Sequence, residues 1–333
     1  MTVRLAALKL AIDGGADLTD KVNPRLVELT LSEKREDDAD ELTVTLQNAD
    51  GLLEIPETGK VLQLSLGWSS GDDVPVGLVD KGRFTVDEVG MEGPPDRVII
   101  RARSADLTDR LRQRRTKSWK DTTLGAILSD IAGRHGRSAQ VDGDLAGIAV
   151  KAIEQEGKSD MAFVRDLGRR HDAIATWKDG KLLFLPIGKS ATAGGTSLAS
   201  VTLTKRDGWR WTFRQADRDA YDGAEAQWHD QDAGKRKTVK TGGDKRRKLK
   251  RVYATEAEAQ KAAEGAASRA ARKPFEFIYE LALADPALQP DGKVSLQGWN
   301  EKIDAIQWLV KSLETRFGAD GLRQSLTMES GES

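Results

Sequence analysis

Over the first hundred residues, apolar and polar positions alternate with a period of two. Val27, Leu29 and Leu31 alternate with Glu28, Thr30 and Ser32, and Leu42, Val44 and Leu46 alternate with Thr43 and Thr45. Leu62, Leu64, Leu66 and Trp68 follow, then Phe84 with Val86, then Val98, Ile100 and Ala102. This spacing lays one side of each strand on a core and turns the other outward. Asn48-Ala49-Asp50-Gly51, Gly71-Asp72-Asp73 and Gly93-Pro94-Pro95 punctuate the runs as turns. Five short strands separated in this way predict a sandwich or a barrel.

The period then changes. Leu124, Ile127, Leu128 and Ile131 follow the spacing of a helix with one apolar stripe, closed by Gly136 at a helix C-terminal position. A second helix is predicted from Ser159, as N-cap, to about Arg170, with Phe163, Val164 and Leu167 inward. Ala175-Thr176-Trp177 and Leu182–Leu185 flank Asp179-Gly180, a hairpin signal. The middle third therefore reads as a small α+β unit. From about Lys189 to Ser200 the chain thins to Gly, Ala, Ser and Thr, the composition of a linker.

Beyond the linker, Val201–Thr204, Trp209–Phe213 and Ala224–Trp228 are strand-like. Residues 235–251 then hold ten Lys or Arg against one acid, Asp244. Thr255 with Glu258 three residues later is a capping-box pattern opening an alanine-rich helix. That helix is polar nearly all round, so it lies on the surface or packs through small side chains. Ile306, Leu309, Val310, Leu313 and Phe317 fit helical spacing, so periodicity alone predicts a helix over 303–317. Leu322, Leu326 and Met328 suit a final strand.

Composition narrows the function. Of 333 residues, 38% are apolar and 32% charged, which suits small cores and much wetted or partner-facing surface. The formal net charge of -1 leaves no overall field to draw the molecule to nucleic acid or membrane. Cysteine is absent, which excludes disulfides, thiolate chemistry and cysteine-ligated metal. Arg4, Lys9 and Asp13 interrupt the N-terminal apolar stretch, and no window approaches a membrane span, so neither a signal peptide nor stable membrane insertion is expected.

Chemistry is thinly supplied. His135 and His171 fall at helix C-terminal positions, where the helix dipole favours a cation, and are read as structural or solvated. His229 has Asp230 and Asp232 nearby but no second cluster of ligand spacing, so no metal site is expected. Gly188-Lys189-Ser190 lacks the glycine that a phosphate loop needs five residues earlier, where Leu183 stands. There is no nucleophile elbow and no dinucleotide fingerprint. Acidic pairs such as Asp37-Asp38 and Asp72-Asp73 sit in turns and are too common here to signal a glycosidase. Neither a catalytic residue nor a cofactor is assigned.

The basic run is the sharpest local feature. Lys235, Arg236, Lys237, Lys245, Arg246, Arg247, Lys248, Lys250 and Arg251 are candidate contacts for an acidic partner or for phosphates. The plainer reading is a mobile, solvated loop. No aromatic interrupts the run to stack on bases, and Tyr253 lies just beyond it.

Particular strings carry more. GPPDRVIIRARSADLTDRLRQRRTKSW (93–119) and IEQEGKSDMAFVRDLGRRH (153–171), followed by WKDGKLLFLP, resemble signature stretches of the phage late control gene D protein family. The segment from Pro24 to Trp68 is similar to that family's opening strands, and KVSLQGWNEKIDAIQWLVKSLETRF with GLRQSLTMES to its last. The blocks cover almost the whole chain in the family's order. Lys158 stands where an acid usually precedes Ser159-Asp160, and the basic insertion with its helix departs from the pattern.

The resemblance implies a mostly β, α+β chain, with two barrel-like tube domains at 1–105 and 191–333 flanking a small α+β domain at 106–190. The basic, helix-containing insertion falls at about 234–272. It implies a non-enzymatic, trimeric hub of a contractile tail, related to the upper part of type VI secretion spikes. The implied partners are further copies of itself, the tail tube protein and the central spike protein, with wedge and tape-measure proteins beyond them. DNA would be only passing cargo. The implied location is the virion tail baseplate, after synthesis in a bacterial host or from a prophage. In that fold 303–317 is at least partly extended, against its helical periodicity. Interfacial aromatics are sought among Trp68, Phe84, Trp209, Trp211, Trp299 and Trp308. The rival classes are a hub-borne cell-wall hydrolase and a nucleic-acid-binding barrel.

Overall fold

The computed structural model describes residues 3–35, 39–104, 111, 113–178, 180–189, 200–215, 221–272 and 275–331. The acidic pair at 37–38, Asp179 of the predicted hairpin, nearly all of the predicted linker and both expected domain boundaries lie outside them.

The alternating N-terminal runs form strands β2 (Leu26–Lys34), β3 (Glu41–Gln47), β4 (Val61–Ser70), β5 (Gly77–Glu92) and β6 (Arg97–Arg103), preceded by β1 (Leu5–Ile12). They lie in the order β1-β4-β5-β6-β3-β2 and curl around one core. Leu29, Leu31, Leu42, Val44, Leu64, Leu66, Phe84 and Val98 are fully buried there. The curl brings β4 very close to the start of β5. A Cβ on Gly67 would meet the Gly77 carbonyl oxygen at 1.8 Å, so only glycine fits there.

The middle third builds a second core from α1 (Leu124–Arg134), α2 (Asp160–His171), the antiparallel pair β7 (Arg114–Thr123) and β9 (Ala149–Ser159), and a three-stranded sheet. That sheet orders β10 (Ala173–Lys178), β11 (Lys181–Pro186) and β8 (Ser138–Val141). The predicted caps form: Ser159 Oγ accepts from Ala162 N at 3.2 Å, and Gly136 takes φ +65°. Phe163, Val164 and Leu167 face inward.

The last third adds β12 (Val201–Thr204), β13 (Gly208–Gln215), β17 (Phe275–Leu281), β18 (Lys293–Gln297), β19 (Gln307–Gly318) and β20 (Gly321–Ser330) around a third core that includes Trp308, Phe277 and Tyr279. Its strands continue the first sheet. The order runs on from β2 through β19, β20 and β17 to β13, so one sheet crosses from the first core to the third.

The helical spacing of 303–317 is overridden. Only Glu301–Asp304 is helical, and β19 is extended from Gln307. A bulge between Val310 and Ser312 explains the misleading period. Before it, Trp308 and Val310 face the third core; the extra residue then lets Leu313 face the same side. Leu309 is buried as well, so apolar positions fall at intervals of one, two and three residues, as on a helix. The bulge is also where β19 changes partner. Gln307–Leu309 pair with β18, and Ser312–Gly318 pair with β2.

The basic run is not a loop. Lys235–Gly242 and Arg246–Tyr253 are strands β15 and β16, flanking β14 (Gly223–Asp230). β14, which lies ahead of the boundary expected near 234, pairs with both of them. One side of this sheet carries Ala224, Ala226, Val239 and Tyr253 against Ala259, Ala262 and Ala263 of helix α3 (Glu256–Arg272). Alanine lets the helix backbone approach the sheet closely, which reconciles its polar sequence with a buried face. Glu258 N donates to Thr255 Oγ1 at 3.2 Å, and Glu258 Oε2 accepts from Ala254 N at 3.4 Å, a capping box displaced by one residue.

Candidate functional site

Two features stand out beyond the cores: a charged junction between the three parts of the chain, and the polar side of the continuous sheet.

The junction begins in β2. Its inward series runs Leu29, Leu31, Glu33, Arg35, so apolar positions give way to charged ones at the same parity. Lys81 Nζ lies 2.9 Å from Glu33, with both side chains almost fully buried, and also donates to the Leu288 carbonyl at 3.4 Å. Arg35 reaches Glu329 of β20 at 2.5 Å and stands 3.9 Å from Asp291. Asp291 accepts from Gly188 N at 2.8 Å. Lys178 of β10 pairs with Asp40 at 2.7 Å. The backbone joins in: Arg35 N donates to the Lys311 carbonyl at 3.0 Å, inside the β19 bulge. Glu33, Arg35, Lys81, Lys178 and Asp291 line a cleft of about 500 Å³ where first, middle and last thirds meet. Buried pairs of this kind add little net stability, but removing one member strands the other. Sequence reading passed over them, although charged residues at inward strand positions were the available signal.

The polar side of the sheet is ordered in rows. One row runs Thr85, Arg103, Glu41, Ser32, Glu314, Ser325, Glu280, Arg210 across eight strands of both barrels. The next runs Glu88, Arg101, Thr43, Thr30, Arg316, Arg323. Each arginine has its own acid: Arg103 with Glu41 and Asp87 at 3.3 Å, Arg101 with Glu88 at 2.8 Å, and Arg316 with Glu314 at 2.6 Å. Arg323 pairs with Asp320 at 3.3 Å and Arg210 with Glu280 at 3.8 Å. Exposed pairs stabilise little. Their effect is to leave a wide, hydrated surface with no excess of either charge.

A buried polar knot holds the middle unit. Asp160, fully buried at the start of α2, accepts from Gln155 Nε2 at 2.8 Å and from Arg134 at 3.0 Å, and lies 2.8 Å from His135 Nε2. His135 is thus structural. His171 is not the cation that the helix dipole favours: burial, with Arg170 and Lys261 nearby, pushes its pKa down to about 4, leaving it neutral. His229 is exposed on β14 opposite Arg236, and among the described residues no cluster suits a metal ion.

The candidate contact residues Lys235, Arg236, Lys237, Lys245, Arg247, Lys248, Lys250 and Arg251 are exposed, and Arg246 is half-buried. Lys237 pairs with Asp230 at 2.6 Å and Arg246 with Asp244 at 3.5 Å. Glu225 of β14 lies between Lys240 and Lys248 in the sheet register. Tyr253 is buried in the core against α3, and Trp228 packs partly against that core with Lys237 Nζ 5.5 Å from its ring centre. Of the aromatics considered for interfaces, Trp68, Phe84 and Trp308 are core residues, and Trp299 packs edge-on against Phe277 and Tyr279. Only Trp209 and Trp211, on the terminal strand β13, are exposed, at 65% and 40%.

One sheet shared by two cores, beside an α+β unit, is a fold also found in solved tail proteins. The tail protein of Neisseria meningitidis MC58 superimposes with a TM-score of 0.67 at 12% identity, covering 98% of this chain and 96% of its own. The 43 kDa tail protein of prophage MuSo2 from Shewanella oneidensis gives 0.66 at 14%, covering 96% and 97%. An Escherichia coli type VI secretion component, described as similar to the T4 tail proteins gp27 and gp5, gives 0.60 at 11%, covering 93% and 74%. The family model of the phage tail baseplate hub (GPD) matches residues 40–321, and the chain belongs to that family. It is 35% identical to the "Probable baseplate hub protein" of Escherichia phage 186 and to that of Escherichia phage P2, over 94% of this chain and 90% of each relative.

Proposed function

We propose that this baseplate hub protein works as a non-catalytic homotrimeric ring that joins the tail tube to the central spike. The observation that carries the reading is the single sheet crossing from first to last barrel through the β2–β19 pairing. Two similar units side by side in each chain, repeated three times, offer quasi-six-fold symmetry to a hexameric tube and three-fold symmetry to a spike. Heterologous contacts repeated around an axis close such a ring.

The paired Arg and Glu rows suit the wall of the ring's channel. A tape-measure protein or DNA moving past meets a wetted surface without net charge and is not held. The fit of partners above and below is mechanical, and no turnover is involved. The protein would be a virion tail component, made in the bacterial host cytoplasm or from a prophage. Light scattering behind size exclusion tests the stoichiometry, with negative-stain class averages to show the shape. A solution mass of three times 36.4 kDa with a central hole is expected. A compact monomer at every concentration would overturn it.

A further inference from the structure

Among the described residues ten large apolar side chains are exposed, and six of them gather towards the two ends of the shared sheet. At one end is β13, which pairs with β17 along one edge and with no described strand along the other. Its Trp211 stacks on Phe277 with ring centres 5.9 Å apart, yet stays 40% exposed. Trp209 is 65% exposed, and a register shift between Gly208 and Arg210 leaves it with no residue opposite on β17.

At the other end is β1. Leu5 lies opposite Ser70 of β4, whose hydroxyl donates to the Val3 carbonyl at 2.7 Å. Leu78 of β5 lies opposite Gly67 of β4, and Val76 bridges to Trp68. Val3, Leu5, Val76 and Leu78 are therefore neighbours on one corner of the first barrel, and all four are exposed. Clustered apolar side chains in water mark a contact surface more often than scattered ones do.

Charge differs in sign between the two ends. Residues 204–215 carry Lys205, Arg206, Arg210 and Arg214 against one acid, Asp207. Arg210 and Arg214 reach Glu280 and Glu276 of β17 at 3.8 and 3.6 Å, while Lys205 lies over the Trp211 ring at 5.5 Å. Residues 69–80 carry Asp72, Asp73 and Asp80 and no cation; Arg4 alone reaches over from the N-terminus to Asp73, its Nε donating at 2.8 Å.

We propose that the corner formed by Val3, Leu5, Val76 and Leu78 docks on the Trp209–Trp211 edge of the next copy of this chain. This rests on the ring reading above and names the surface on which the ring closes. Eight strands separate β1 from β13 in the sheet order, and both patches stay exposed, so neither covers the other within one chain. A second copy supplies what each patch lacks, in the head-to-tail manner that closes rings. Tryptophan is among the residues enriched in interface cores, and opposite charges beside the apolar contact fix its orientation.

The test uses the whole chain, which has no cysteine of its own. Light scattering behind size exclusion is run over a concentration series on wild type, Trp209→Ala and Val76→Asp, with circular dichroism as the check on folding. Each variant is expected to raise the concentration at which trimers half-dissociate by about tenfold or more. The double variant Val76→Cys with Trp209→Cys, treated with a flexible bismaleimide, is expected to give covalent trimers. A wild-type trimer that both Trp209→Ala and Val76→Asp leave intact would overturn this contact and leave the ring standing. A wild type that stays monomeric at every concentration would overturn both. Dimers formed equally well by either single cysteine variant would overturn the head-to-tail pairing. Covalent ladders longer than three copies would support the contact and overturn the closed ring.

Discussion

Lys81 and Glu33 form an ion pair at 2.9 Å in which both side chains are almost fully buried, between the first barrel and the 288–292 loop of the last. Little of either side chain reaches water, so removing one charge leaves the other poorly compensated. Glu33→Gln leaves the ammonium without a counter-charge and should cost about 3–5 kcal/mol. Glu33→Leu combined with Lys81→Met should recover most of that loss. Urea unfolding of the two variants against wild type measures both; equal destabilisation by the single and double variants would show that packing, not charge, dominates here.

Stability should depend on pH through His171. Its folded pKa, about 4, lies below the ordinary value of 6.5 because of burial and of Arg170 and Lys261. The unfolded chain therefore binds the proton more readily between those values. The contribution is complete above pH 6.5 and is lost as pH falls towards 4, reaching about 2–3 kcal/mol. His171→Phe should flatten that part of the profile of melting temperature against pH. An unchanged slope between pH 6.5 and 4 would mean that other groups govern it.

The β19 bulge should be a mechanical weak point. Leu313 is the first inward residue beyond it and is buried in the third core. Leu313→Ala should destabilise by about 2–5 kcal/mol through lost burial and the cavity left behind. Hydrogen exchange should then quicken in β2 as well as in β20, because β19 pairs with both.

The inserted sheet separates packing from charge. Ala262→Leu overfills the contact between α3 and the sheet and should cost about 1–3 kcal/mol. Replacing Arg236, Lys248 and Lys250 together by Gln should move the melting temperature little, since exposed sites away from special features usually stay within about 0.5 kcal/mol. The same triple variant should elute from a heparin column at clearly lower salt. Undiminished retention would place the anion-binding surface elsewhere.

Local pattern made some of this legible. Period-two runs, turn dipeptides and capping residues specified the N-terminal strands, α1, α2 and the start of α3, because those choices depend on neighbours within a few residues. Four matched blocks of sequence carried the family. Periodicity misled at 303–317, where a bulge in a strand buried on both sides imitates a helix. The like-charge run misled at 235–251, where the cations sit on two strands of a sheet packed against the alanine helix that follows them. Both depend on contacts remote in the chain.

By itself the sequence determined where the backbone would be extended or helical over its strongly patterned segments, and which side of each strand would be dry. Only the tertiary structure decided that β2 pairs with β19 and that Glu33, Arg35, Asp291 and Glu329 converge. Local spacing fixes the direction in which a side chain points. Which distant charge it meets is set by sheet order and by a single-residue bulge, and neither is encoded in any short window of the chain.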